Sequence, residues 1–319
     1  MGVNSDKTHQ WKEDIAESVD FFNEWFIRFA PKAFRETRQK TTVQVESALK
    51  WTRNLTDISP GLLLGHPEVL QILRMATAPP IARDRLIGLS GVSRNLVSSM
   101  EGQGKIPPGM VKQQVQRELT AIGSMIARLA DGDIFPWLES KSNPSNSEVY
   151  RAATIVADRL CGAIANPIIR NAQEKRQLDT VNGWLQGHGY SFMQAGEGLR
   201  LAAMKPGQFA FHLDVPVNLD QKRQIKLPVD AVIMPKKARQ KELPLLVEAK
   251  SAGDFTNVNK RRKEEAMKIT LLQRTYGKDV RYILFLCGYF DSGYLGYEAA
   301  EGIDWVWEHR IDDLREFGL

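Results

Sequence analysis

Two short segments of the chain gather residue types suited to phosphoryl chemistry. One is Leu227-Pro-Val-Asp230-Ala-Val-Ile233 and the other is Leu245-Leu-Val-Glu248-Ala-Lys250. Both read as apolar strands, along which side chains alternate between faces. Glu248 and Lys250, two apart, therefore share one face, with Val247 and Ala249 on the other. Asp230 lies on the preceding strand, joined through a basic loop over 235–242, so a hairpin sets it beside Glu248. Adjacent carboxylates repel unless a cation lies between them. Oxygen donors of this kind suit Mg²⁺, which keeps several waters and takes one or two carboxylates. A metal on Asp230 and Glu248 would polarise a phosphoryl oxygen and lower the pKa of a bound water. Lys250 would hold that water or offset charge in the transition state. Asp214, one strand earlier, is a rival for the metal role. The plainer alternative is a surface hairpin in which Glu248 and Lys250 only pair with each other. The apolar run leading into Glu248 favours the buried site.

These residues need a scaffold, and the apolar spacing supplies one. Residues 10–139 read as helical, with Ile15, Val19, Phe22 and Phe26 on one stripe and a further helix over Val111–Leu129. The polar stretch Ser140–Ser147 marks a boundary, dividing the chain into 1–145 and 146–319. Helices are then expected over Glu148–Ala165 and Ile168–Gly187, broken at Asn166-Pro167. Strands follow at Phe209–Val217, Lys226–Met234 and Leu243–Ala249, then a helix over Val258–Tyr276 and a strand over Val280–Cys287. The fold class is α/β, a mixed sheet flanked by helices, preceded by an all-helical N-terminal region. In the helix over 168–187, Glu174, Leu178, Val181 and Leu185 follow helical spacing, placing a carboxylate at the end of an apolar stripe. A buried carboxylate needs a partner. Glu174 either reaches the catalytic cluster or pairs with Arg170 or Lys175.

Pro228-x-Asp230, followed after a hairpin by Glu248-Ala-Lys250, resembles the PD-(D/E)xK nuclease motif. The order helix, three antiparallel strands, helix, strand is similar to the core of that superfamily over roughly 168–287. The continuation from Lys250 to Ala266 resembles its restriction endonucleases. The wider sequence, including Thr77-Ala-Pro-Pro-Ile-Ala-Arg-Asp-Arg-Leu86, resembles the XamI family of type II enzymes. The resemblance implies a PD-(D/E)xK restriction-endonuclease-like core, Mg²⁺, double-stranded DNA as substrate and an acidic residue on the helix that carries Glu174. One departure is the separation of Pro228 from Asp230 by Val229.

Charge is consistent with a polyanionic partner. Residues 221–282 hold sixteen Lys and Arg against seven Asp and Glu, while the whole chain carries +5, leaving the remainder slightly acidic. Lys260, Arg261, Arg262 and Lys263 open the helix after the motif; they span more than one turn, so some of them are expected at phosphates, with Asn257 and Asn259 nearer the bases. In the helical half, Asp84 to Lys105 reads as a helix-turn-helix, with Gly91 in the turn and Ser93 capping the second helix. Leu96, Val97 and Met100 then face inward, and Arg94, Asn95 and Ser98 face outward as residue types able to contact base edges or phosphates. A plain helical hairpin fits the same signals.

Other chemistries lack their residues. The five histidines show no zinc spacing, and Gly102-Gln-Gly104 and Gly196-Glu-Gly198 are too bare for nucleotide loops. Cys161 and Cys287 suit a reducing cytoplasm. Trp305 and Trp307 alternate on a short C-terminal strand as packing residues. The expected function is a type II restriction endonuclease making Mg²⁺-dependent double-strand breaks at a short palindromic site, as a homodimer, with a DNA methyltransferase as genetic partner. A non-catalytic helix-turn-helix regulator and a repair or recombination nuclease are the alternatives.

Overall fold

Helical periodicity dominates the first half of the chain and strand alternation the second, and the computed structural model follows that change. It describes residues 2–194, 201–220, 222–240, 242–256 and 258–319, and of 202 and 258–261 the backbone alone. Two compact units form, one from 1–29 with 170–319 and the other from 30–169. The helices that run from one into the other are α1, Trp11–Trp51, and α8, Asn146–Gly187. The division thus falls inside two helices, whereas the sequence reading put it at 145/146.

The unit over 30–169 is helical. Between α1 and α8 it contains α2 Pro60–Gly65, α3 Leu70–Met75, α4 Arg83–Ser90, α5 Arg94–Gln103, α6 Lys112–Leu129 and α7 Trp137–Ser140. Leu49, Leu63, Leu70, Leu73, Leu86, Leu96, Leu119, Phe135, Val156 and Leu160 form its core. A window of α8 is apolar enough by composition to cross a membrane, at mean hydropathy 1.3. Its Ala152, Val156, Ala157 and Leu160 are instead buried in this core. Gly91 ends α4 in the left-handed conformation at φ 62°, where a side chain would be strained. The Ser93 hydroxyl caps α5 by accepting from Leu96 N–H. Both match the turn expected from the sequence.

The expected break at Asn166-Pro167 does not occur: α8 is one helix with Pro167 inside it. A helix-interior proline forfeits one hydrogen bond and crowds the carbonyl four residues back. Burial on both flanks offsets this, with Leu160, Cys161 and Ala165 on one side and Leu178, Val181 and Leu185 on the other.

The other unit is built on a mixed six-stranded sheet. Its strands are β1 Ser191–Phe192, β2 Gln208–Asn218, β3 Gln224–Ile233, β4 Leu245–Ala252, β5 Arg281–Gly288 and β6 Asp304–Trp307, neighbouring one another in that order. β2, β3 and β4 are antiparallel, β1 lies parallel to β2, and β5 and β6 continue parallel from β4. The crossover between β4 and β5 is α9, Val258–Tyr276, and α10, Ser292–Ala300, precedes β6. Strand parity separates two cores. Leu246, Leu284, Leu286, Trp305 and Trp307 pack with Ile269 and Leu272 of α9 and Leu295 of α10. Leu245, Val247, Ile283, Phe285 and Val306 pack with Val181 and Leu185 of α8. Trp305 and Trp307 are fully buried, as packing residues should be.

Candidate functional site

The β3–β4 ladder is short: Ala231, Val232 and Ile233 pair with Val247, Leu246 and Leu245, and there it stops. Continuing in register would set Asp230 directly opposite Glu248, and like charges in that position are destabilising. Instead Asp230 Oδ2 accepts a hydrogen bond from Ala249 N–H at 2.8 Å, replacing a ladder bond with a side-chain one. Asp230 is half-buried and Glu248 is 5% exposed. Burial pushes the Asp230 carboxyl up to about 6, helped by the negative charges of Glu248 and Glu174 and opposed by the Ala249 bond and Lys250.

Lys250 shares the Glu248 face, as two-residue spacing requires. Its Nζ donates to Glu248 Oε1 at 3.0 Å and lies 3.3 Å from Glu265 Oε1 on α9. Burial alone would lower the Lys250 ammonium, but the Glu248 and Glu265 carboxylates outweigh it and hold the group above its ordinary value. Lys268, one turn beyond Glu265, also donates to Glu248 Oε1. Glu248 Oε2 has no hydrogen-bond partner among the described residues. Glu298 of α10 is fully buried, with no hydrogen bond to either oxygen among the described residues. Burial and the nearby Glu265 charge raise it to about 8. The helix α8 fixes the far side of the site. Gln177 donates to Lys250 O at 3.3 Å and Phe285 O at 3.2 Å, and Gln173 donates to Ser251 Oγ.

Glu174, on the same helix, is exposed rather than buried. Neither expected pairing forms: Lys175 instead bridges to Asp179, and Glu174 has no ion pair among the described residues. It stands with Asp230 and His212 of β2, one ligand atom of each lying within 4.8 Å of the others. Asp214 is elsewhere, exposed and 3.7 Å from Lys226.

Residues 53–307 match the XamI restriction endonuclease family. The type II restriction enzyme SalI of Streptomyces albus G is 51% identical over 316 residues, covering 99% of each chain. The chain belongs to the XamI restriction endonuclease family. A solved protein, VC1899 from Vibrio cholerae, aligns with 88% of this chain at 12% identity and a TM-score of 0.29. The alignment spans 55% of that chain's own length.

In this member of the XamI family the remaining sequence candidates are scattered over several elements. Arg94 and Asn95 of α5 are exposed and Ser98 is half-buried, with Arg94 3.4 Å from Asp84. Arg262 lays its guanidinium over the Tyr297 ring at 5.3 Å, and Lys263 is exposed. Asn257 and the side chains of Asn259, Lys260 and Arg261 lie outside the described residues, as does Gly196-Glu-Gly198. Sequence reading missed Glu265, Lys268, Glu298 and His212. For Glu265 a signal existed, since Glu265, Ile269 and Leu272 form one helical stripe. Tyr294, Leu295 and Glu298 form another. His212 gave none.

Proposed function

We propose that this chain is a Mg²⁺-dependent type II restriction endonuclease with a PD-(D/E)xK core, hydrolysing phosphodiester bonds of double-stranded DNA. The observation that carries the reading is the meeting of Asp230, Glu248 and Lys250 where β3 and β4 part, in a XamI-family chain. The donor set fits a hard divalent cation. Among the described residues Glu248 keeps one buried oxygen unpartnered, and burial together with the negative charges of Glu248 and Glu174 raises Asp230. Asp230 and Glu248 would hold the ion, with Glu174 near it. When bound, Mg²⁺ supplies Lewis-acid polarisation of the phosphoryl group and a more acidic water.

The chain's own groups do the rest. Lys250, kept protonated by Glu248 and Glu265, orients the attacking water and stabilises charge developing on the phosphate oxygens. Lys268 holds Glu248 in place from α9. Arg94, Asn95 and Ser98, together with Asn257, Asn259 and the basic run from Lys260 to Lys263, contact the duplex. The helical region over 1–145 supplies DNA contacts, dimer contacts or both, and 146–319 carries the nuclease. A methyltransferase protecting the same site is the expected genetic partner, and the cytoplasm the expected compartment.

Digestion of a sequenced plasmid with Mg²⁺ tests this directly. Discrete fragments ending at one short palindrome are expected, and Asp230→Ala or Glu248→Ala should abolish cutting while sparing specific binding in Ca²⁺. Sequence-independent degradation, or full turnover by Asp230→Ala, contradicts the reading.

A further inference from the structure

Among the described residues, His212 is the histidine that the fold brings to Asp230 and Glu174. It lies on β2 opposite Asp230, yet the ladder pairs Phe211 with Ala231 and Leu213 with Val229 and skips the position between. There His212 adopts φ 51°, a left-handed conformation in mid-strand. Such a conformation is uncommon outside glycine, and histidine is among the residues that tolerate it better. One ligand atom from each of Glu174, His212 and Asp230 lies within 4.8 Å of the other two. With metal–ligand bonds of about 2.1 Å, octahedral neighbours sit about 3 Å apart and opposite ligands about 4.2 Å apart. Three different elements, α8, β2 and β3, supply the three groups. Glu174 and His212 line an open cleft of about 910 Å³, which gives an ion and its waters a way in. Among the described residues no cation of the protein occupies the place: Lys175 turns to Asp179, and Lys250 to Glu248 and Glu265.

We infer that His212 is a metal ligand, completing with Glu174 and Asp230 a two-carboxylate, one-imidazole site for a divalent transition ion. The inference rests on the reading of Asp230 as a metal-binding residue and extends it. An all-oxygen set suits Mg²⁺ and Ca²⁺, whereas an imidazole nitrogen shifts preference toward Mn²⁺, Co²⁺ and their neighbours. The site therefore accepts Mn²⁺ more tightly than Mg²⁺, and its ligand field contains one nitrogen.

The test is Mn²⁺ binding to the full chain, followed by titration calorimetry and by pulsed electron paramagnetic resonance, which detects ¹⁴N of a coordinated imidazole. His212→Asn is the variant of choice, because asparagine also tolerates the left-handed backbone. Wild-type protein should show the ¹⁴N modulation. His212→Asn should lose it and weaken Mn²⁺ binding by about tenfold or more, with Mg²⁺ affinity changing less. Mn²⁺ bound through Asp230 with no ¹⁴N signal, or with a signal that survives in His212→Asn, overturns the role of His212 and leaves the nuclease reading intact. Mn²⁺ affinity unchanged in Asp230→Ala removes the metal reading of Asp230, and this inference with it.

Discussion

Lys250 bridges two buried carboxylates, sharing Glu248 with Lys268 and pairing by itself with Glu265 among the described residues. Its ammonium touches Glu248 and Glu265, whose side chains are 6% and 0% exposed. Removing one partner of a buried ion pair leaves the other uncompensated, here Glu265, at a cost of roughly 3–5 kcal/mol. Lys250→Met should therefore lose cleavage and also destabilise the protein by about that amount in urea unfolding. Adding Glu265→Gln should recover part of the stability but none of the activity. Equal destabilisation in the single and double variants would show that Glu265 does not depend on the lysine.

Glu298 predicts a pH effect of definite sign. Its carboxyl is raised to about 8 in the folded chain, against 4.5 ordinarily. Below pH 4.5 both folded and unfolded states hold the proton, and its contribution to stability is fully present. Between 4.5 and 8 the unfolded chain releases the proton while the folded chain keeps it, so stability falls as pH rises. Glu298→Gln carries no such proton. It should match the wild type near pH 5 and exceed it in Tm at pH 9. A wild-type deficit that is the same at both values would contradict the assignment.

At the scale of elements, the α4–α5 turn depends on local chemistry. Ser93 Oγ accepts from Leu96 N–H at 3.1 Å, while Ser93 N–H donates to Glu118 Oε2 of α6 at 2.9 Å. Ser93→Ala removes the first and keeps the second. It should cost about 1 kcal/mol, read as a lower unfolding midpoint with unchanged slope. Such features were legible because they are local: a glycine at the turn, a hydroxyl at the cap, an apolar stripe behind them. The helix α9 was legible from end to end for the same reason, and β2 to β5 to within a few residues. The continuity of α8 through Pro167 was not. Local rules register what proline costs, and burial on each side outweighs it.

For the molecule as a whole, the chemistry argues for two copies. One centre of this kind cuts one strand, so a double-strand break takes two centres or two visits. Two-fold symmetry in the protein matches an inverted-repeat target. Sedimentation with a cognate duplex in Ca²⁺ should give two chains per duplex. One chain per duplex with nicks as the only product would exclude the dimer.

The sequence by itself determined the α/β character of the second half and placed Asp230, Glu248 and Lys250 on two neighbouring strands. Strand alternation and hairpin connection are short-range, so residue order carries them. It also determined the family, since the resemblance carried by that motif and its flanks agrees with the match over 53–307. Tertiary structure alone decided what surrounds them. Glu265 reaches Lys250 and Lys268 reaches Glu248 across the packing of α9 on the sheet, and Glu298 follows on α10. His212 meets Asp230 only through the pairing of β2 with β3 and a left-handed backbone at that position. Glu174, expected at a buried stripe, is exposed beside them. Contacts between distant segments depend on how faces pack, and no spacing along one chain segment encodes that.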